Sequence, residues 1–273
     1  TPDTMVMRFS NLERWSLMGW RGLLTGTTLF FIWYFFLKSE PIKQLRTLYS
    51  WQGIIFILAF AINSVCFTLG IIETSVMVVL TAVATMPVFA AILSIFIMKE
   101  YQGWISWLTI LSAMLGVIIV VSDGNNGIGH PEGSVVLGAI FGLFTAICLA
   151  LTFTMVRKFP ELSVMPAGAI GAAISGVIGF ALADSDLFNA PIWTIISMGG
   201  IILPLSFTFL LIAPRYTSSA IVSLIMLLEM VIGPFWVWFG IGEKPSLLMI
   251  SGSLLVVFVI IFNIVITQFK NIN

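Results

Sequence analysis

The chain has 273 residues, 59% of them hydrophobic and only 9% charged, with no formal net charge and a mean hydropathy of +1.12. Soluble domains carry roughly 25% charged residues, so these values exclude a soluble protein and, with no basic cluster, a nucleic-acid binder. The apolar runs are continuous and too long for the alternating segments of a membrane β-barrel, which leaves an all-α integral membrane protein.

Residues Thr1–Ser10 (TPDTMVMRFS) are too short to span a bilayer and show no cleavable signal peptide. They read as the end of a first helix whose earlier half is absent, with Arg8 leaving into the interface. Nine complete spans follow, approximately 17–37, 52–72, 75–98, 104–122, 133–157, 163–183, 191–213, 217–241 and 246–268, each near the ~20 residues that cross the hydrocarbon. With the truncated helix this predicts ten helices joined by short connections. Trp15, Trp20, Trp33, Tyr49, Trp51, Trp104, Trp107 and Trp193 fall toward span ends, as interfacial anchors do. Cys66 and Cys148 lie within apolar runs and read as small core residues, while His130 sits in a Gly-rich loop.

Loop charges orient the chain. If the first helix runs outward, the inner segments hold Lys38, Lys43, Arg46, Lys99, Arg157, Lys158, Arg215 and Lys270. The outer segments and adjacent helix ends hold Arg8, Arg14, Arg21 and Lys244. This asymmetry predicts both termini in the cytoplasm.

The stretch Tyr216–Glu243 carries Glu229 near its middle. A carboxylate at that depth costs roughly 2.5 kcal/mol or more on insertion, so it marks a functional position by default. The stretch Glu73–Glu100 echoes it: aligning Glu100 with Glu243 brings Thr74 onto Thr217, Ser75 onto Ser218, Val79 onto Val222 and Phe96 onto Phe239. With five helices per repeat the second half is inserted upside down, which predicts a ten-helix bundle of two inverted five-helix repeats, 1–122 and 133–268. Inverted repeats build a substrate site near the midplane at their interface.

On a helix at 100° per residue, Glu229 shares its face with Ser218, Met226, Gly233 and Trp236. Glu229 reads as a cavity-facing acid that binds a substrate amino group or takes up a proton, or else as a buried structural acid. Met77, Thr81, Thr85 and Val88 share another face; the threonines line a cavity or bond back to their own helix. Asn63, Phe67 and Gly70 align, and Asn63 either joins helices or meets substrate. Gly138, Gly142, Thr145, Leu149 and Thr152 form one stripe and Gly168, Gly171, Ser175 and Gly179 another, both suited first to close helix packing, with Thr145 also a cavity candidate. Glu73, Arg215 and Tyr216 at tight turns are candidate gate residues, with a solvated interfacial charge the plainer reading of Glu73 and Arg215, and Pro204 and Pro234 interrupt spans where a hinge or simple bend is expected.

Thr74–Ser75, then MPVFAAILSIFIMKE ending at Glu100, resembles the first EamA-type repeat of the drug/metabolite transporter superfamily. RYTSSAIVSLIMLLE followed by IGE at 241–243 resembles the second, and PDTMVMRFSNLERWSLMGWRGLL resembles that family's first-helix end and second-helix start. One departure is Met230, where the family's second repeat usually has proline directly after the midplane Glu; here proline comes only at Pro234. The resemblance implies a secondary transporter of amino acids or related amphipathic metabolites, working by alternating access in the inner membrane, with export the expected direction. It implies no cofactor and no metal. The expected partners are a small-molecule substrate, the bilayer and protons, in a monomer or homodimer. The sequence has no Walker motif. With one His, one midplane Glu and no mid-membrane Lys it lacks the equipment of an intramembrane enzyme. A channel or structural membrane subunit is the alternative, distinguished by flux without saturation.

Overall fold

A computed structural model describes residues 3–37, 41–99, 104, 107–108, 111–112, 114–116, 118–119, 133–184, 191–212, 236, 238–240, 242 and 246–272. Everything regular among them is helical. The helices are α1 (Asp3–Ser10), α2 (Arg14–Ile32, extended by a π-helical turn Trp33–Leu37), α3 (Pro41–Leu48), α4 (Trp51–Glu73), α5 (Val76–Val83) and α6 (Met86–Leu93, extended by a π-helical turn Ser94–Met98). There follow α7 (Val135–Lys158), α8 (Val164–Leu182), α9 (Ile192–Ile195), a π-helical segment Ile196–Ile202, α10 (Leu203–Ile212) and α11 (Leu247–Ile272).

Among the described residues, five helical stretches are long and apolar enough to cross a membrane: Trp51–Glu73, Val76–Met98, Val135–Lys158, Val164–Leu182 and Ile192–Ile212. Each agrees within a few residues with an apolar run read from the sequence. Lipid offers no hydrogen-bond partner, so the backbone must satisfy itself, and helices do this locally. Their starts are set by side chains that accept from the first free amides. Ser50 accepts from Gly53 N at 3.1 Å, Ser75 from Val78 N at 3.4 Å, Ser134 from Leu137 N at 3.2 Å, and Glu13 from Trp15 N at 2.9 Å.

The bundle closes on small residues, since lipid-embedded helices gain most by bringing backbones near. A methyl on Gly22 would meet the backbone of Gly176, and one on Gly179 the backbone of Gly19, so α2 and α8 pack along their length with nothing between. Gly26 adds the Ala169 carbonyl to this seam. The other stripe behaves likewise: Gly138 lies against Thr74, and Gly142 against Ala82 and the Val79 carbonyl. Both glycine stripes are thus packing faces. The α4 helix packs on both α7 and α8, while α1 and α2 both contact the helix at 192–212. Phe31, Phe35, Phe36, Leu58, Ile62, Val177 and Phe209 are exposed and turn the outer face of the bundle apolar.

Four features depart from the sequence reading. The connection after the 17–37 span holds the short helix α3, whose Ile42 and neighbouring Tyr49 are exposed while Leu48 is buried. Trp33, read as an anchor at a span end, is packed inside the protein, where its indole N–H donates to Gln44 Oε1 on α3. The 75–98 span is broken at Ala84–Thr85, where Pro87 has no N–H to return to the preceding turn and Val88 N bonds instead to Thr85 O at 2.9 Å. Arg21, counted above with the outer charges, is only 4% exposed and belongs to the bundle interior.

Candidate functional site

Arg21 lies two turns into α2, about 10 Å along its axis at 1.5 Å per residue. Its Nη2 donates to Asp3 Oδ2 at 3.0 Å and its Nη1 to Thr68 Oγ1 at 3.1 Å. The guanidinium also stands 5.1 Å from the Phe67 ring centroid, within cation–π range. Thr68 accepts from Arg21 while its own hydroxyl donates to the Ser64 carbonyl at 2.8 Å. Asp3 is 5% exposed and Thr68 fully buried. Three helices, α1, α2 and α4, therefore converge on one buried ion pair. Val6, Met7, Leu17 and Ile71 of the same helices share an apolar core cluster with Met198 of the π segment 196–202.

Burying two charges costs several kcal/mol per ion, which only complete hydrogen bonding offsets. Here it is incomplete. Asp3 Oδ1 and Arg21 Nε are buried without a partner, and so are Thr4 Oγ1 and Ser16 Oγ. A purely structural pair would be expected to have its capacity filled.

A second group lies deeper. Asn63 is 4% exposed and Thr145 1%, and Asn63 Oδ1 and Thr145 Oγ1 are both buried without a partner. The α4 and α7 helices meet at Glu73, whose Oε1 accepts from Ser134 N at 3.1 Å. Counting back from that end, Asn63 and Thr145 both fall about 15 Å deep, near the middle of a ~30 Å hydrocarbon layer. Between the two groups, Ser64 and Ser175 hydroxyls lie 2.8 Å apart and tie α4 to α8.

The remaining predicted residues divide. Phe67 joins the Arg21 cluster. Thr81 packs against α11, its Oγ1 2.8 Å from Ser253 Oγ, and Met77 Sδ lies 3.2 Å from the same hydroxyl. Thr85 bonds back to its own helix through Ala82 O at 2.6 Å. That stripe therefore serves helix contacts and helix bending within this conformation. Glu73 anchors the start of α7, and Trp236 is helical and 45% exposed. Glu229, Ser218, Arg215 and Tyr216 lie outside the described residues. Cys66 and Cys148 are buried and free, and the described residues hold no group of His, Cys, Asp and Glu able to bind a metal.

The sequence reading missed Asp3 and Arg21 as a pair. The available signal, an acid on the short first segment and an arginine seven residues into the next helix, does not by itself say that the two meet.

The 192–212 helix contributes a further irregularity beside Arg21. Leu203 N–H reaches Met198 O, five residues back, as in a π-helix. A methyl on Gly199 would meet Leu24 Cβ at 2.9 Å and Arg21 Cα at 3.3 Å. Such π segments gather at functional sites and hinges.

Apolar helices long enough to span a bilayer, packed around buried and incompletely paired polar groups, define a multi-pass membrane protein. Residues 4–122 match the EamA-like transporter family, part of the drug/metabolite transporter superfamily. The matched stretch contains Arg21, Asn63 and Phe67, and its similarity is to a family of membrane transporters. No curated protein matches the chain.

Proposed function

We propose that the protein is a secondary carrier of small organic metabolites, amino acids or related amphipathic compounds, exporting them across the inner membrane by alternating access. The observation that carries this reading is the pair of unpartnered oxygens of Asn63 and Thr145 at the depth of the midplane. A buried acceptor without a donor costs about 1–3 kcal/mol, and a solute that supplies the donor explains why the bundle keeps two at one level. In this reading Glu229, Trp236, Ser218, Asn63, Phe67, Thr81, Thr85 and Thr145 are candidate substrate residues, with Glu73, Arg215 and Tyr216 at the gates.

Helix contacts support an inverted repeat. Aligning the halves pairs α2 with α8, and these two lie face to face. The contact of α4 with α8 has its counterpart in the helix at 192–212 against α2, and the contact of α4 with α7 in that same helix against α1. The breaks at Ala84–Thr85 and at 196–202 fit the discontinuous helices of carriers. With Arg21 removed from the outer charges, Arg8, Arg14 and Lys244 remain there against the eight inner ones, which favours cytoplasmic termini.

The test is counterflow. Proteoliposomes loaded with unlabelled amino acids are diluted into a labelled tracer of the same compound. Saturable accumulation is expected for a carrier, and Glu229→Gln should reduce it. Non-saturating ion flux without counterflow would replace the carrier with a channel.

A further inference from the structure

Asp3 and Arg21 are the buried charged residues of the described interior, and each keeps one polar atom without a partner. Arg21 uses two of its three nitrogens, Nη1 on Thr68 and Nη2 on Asp3. Its Nε has a donor to give and no acceptor, and Asp3 Oδ1 has lone pairs and no donor. The two free atoms belong to groups held together at 3.0 Å through Nη2 and Oδ2, yet they do not bond to each other, so one ion pair presents both an unused donor and an unused acceptor. Thr4 and Ser16, with buried unpartnered hydroxyl oxygens, follow Asp3 on α1 and precede Arg21 on α2. Phe67 lies across the guanidinium and gives the site one aromatic wall.

We infer that Asp3 and Arg21 form a head-group site for a zwitterion bearing an ammonium and a carboxylate close together. Arg21 Nε donates to the carboxylate and Asp3 Oδ1 accepts from the ammonium. A monovalent ligand leaves one of these atoms unmet in a buried setting, whereas a zwitterion satisfies both and adds no net charge to the interior. The two charges also screen each other, which offsets part of the cost of burying them. This inference rests on the carrier reading for its biological sense but not for its test. It assigns the head group to the first-half helices, leaving Glu229 and the Asn63–Thr145 level for the remainder of the substrate.

Three probes of one shape separate the two contacts: L-phenylalanine, 2-phenylethylamine and 3-phenylpropionate. Their binding to purified protein is followed by thermal shift and calorimetry. Wild type is expected to bind the zwitterion at least tenfold more tightly than either single-charge analogue. Asp3→Asn should weaken phenylalanine and phenylethylamine at least tenfold while phenylpropionate is kept or tightened. Arg21→Lys retains a cation for Asp3 but removes Nε, so it should weaken phenylalanine and phenylpropionate and spare phenylethylamine. A purely structural pair would move all three ligands together. Equal loss of all three in both variants, or no preference for the zwitterion in wild type, overturns the site. In that case saturable counterflow by wild type would leave the carrier reading standing. Opposite ligand losses with no counterflow would keep the site and remove the carrier.

Discussion

The Thr25 hydroxyl donates to the Gly199 carbonyl at 3.2 Å, across the contact between α2 and the π segment. The need for this bond follows from the chain. In an α-helix Gly199 O would receive Leu203 N–H, but that group reaches back to Met198 O. In a π register the next donor would come from residue 204, which is Pro204 and has none. Thr25 replaces the missing backbone donor. Thr25→Val should therefore lower stability by about 0.6 kcal/mol, and by no more than about 1.7 kcal/mol, the range of side-chain hydrogen bonds between membrane helices. Pro204→Ala restores an N–H that frees Gly199 O from its dependence on Thr25 in either register. In that background Thr25→Val should cost almost nothing. Thermal unfolding of the four proteins in detergent gives the coupling directly; additive effects would refute this origin of the π segment.

Glycines along the chain should differ sharply in tolerance. Gly22→Ala places a methyl against the backbone of Gly176 and the Ala172 carbonyl, which can yield only if α2 and α8 separate. A loss of about 1–3 kcal/mol is expected from such overpacking, and Gly22→Leu should give no monodisperse protein. At Gly200 the nearest atom to an added methyl is Ile196 Cγ2, at 3.8 Å. Gly200→Ala should be tolerated or stabilising by up to about 1 kcal/mol, as at open helical positions. Size-exclusion profiles and melting temperatures of the three variants check the contrast.

Asn63 offers a test of stability against function. Leucine has the same branched shape beyond Cγ but no oxygen to leave unmet. If Asn63 waits for a substrate, Asn63→Leu should keep or raise the melting temperature while saturable transport falls at least tenfold. Residues kept for activity at the expense of stability behave in this way. A lower melting temperature with transport lost in proportion would make Asn63 a helix-joining residue.

What could be read from the sequence alone was set by lipid. A run of apolar residues in a bilayer must be a helix, so 133–157 and 163–183 anticipate Val135–Lys158 and Val164–Leu182 closely. Small-residue stripes likewise announced close packing, and Gly142 and Gly179 are at such contacts. The breaks were only half legible. Pro204 marked one, yet the π segment lies before the proline and depends on a threonine from another helix. The Asp3–Arg21 pair was illegible for a different reason. An arginine near a span end reads as interfacial until its partner is known, and that partner lies on a separate helix. The threonine stripe at 77–88 offered two physical outcomes, and only packing decided between them: Thr81 meets another helix and Thr85 its own.

The contact of Thr81 with Ser253 yields a test of which parts move. Their hydroxyls lie 2.8 Å apart, joining α5 to α11. The chain breaks at Ala84–Thr85, one turn beyond Thr81. If carriers of this kind open by parting helix pairs, this contact must separate in each cycle. Thr81→Cys with Ser253→Cys brings two sulfurs near the ~2.0 Å of a disulfide after small side-chain rotations. Oxidation should raise the melting temperature and stop counterflow, and a reductant should restore it. Wild type, whose Cys66 and Cys148 are buried and free, serves as the control. Full transport by the oxidised double variant would mean that α5 and α11 travel as one body. The motion would then be assigned to the break at Ala84–Thr85, where α6 can tilt on Pro87 while α5 stays fixed.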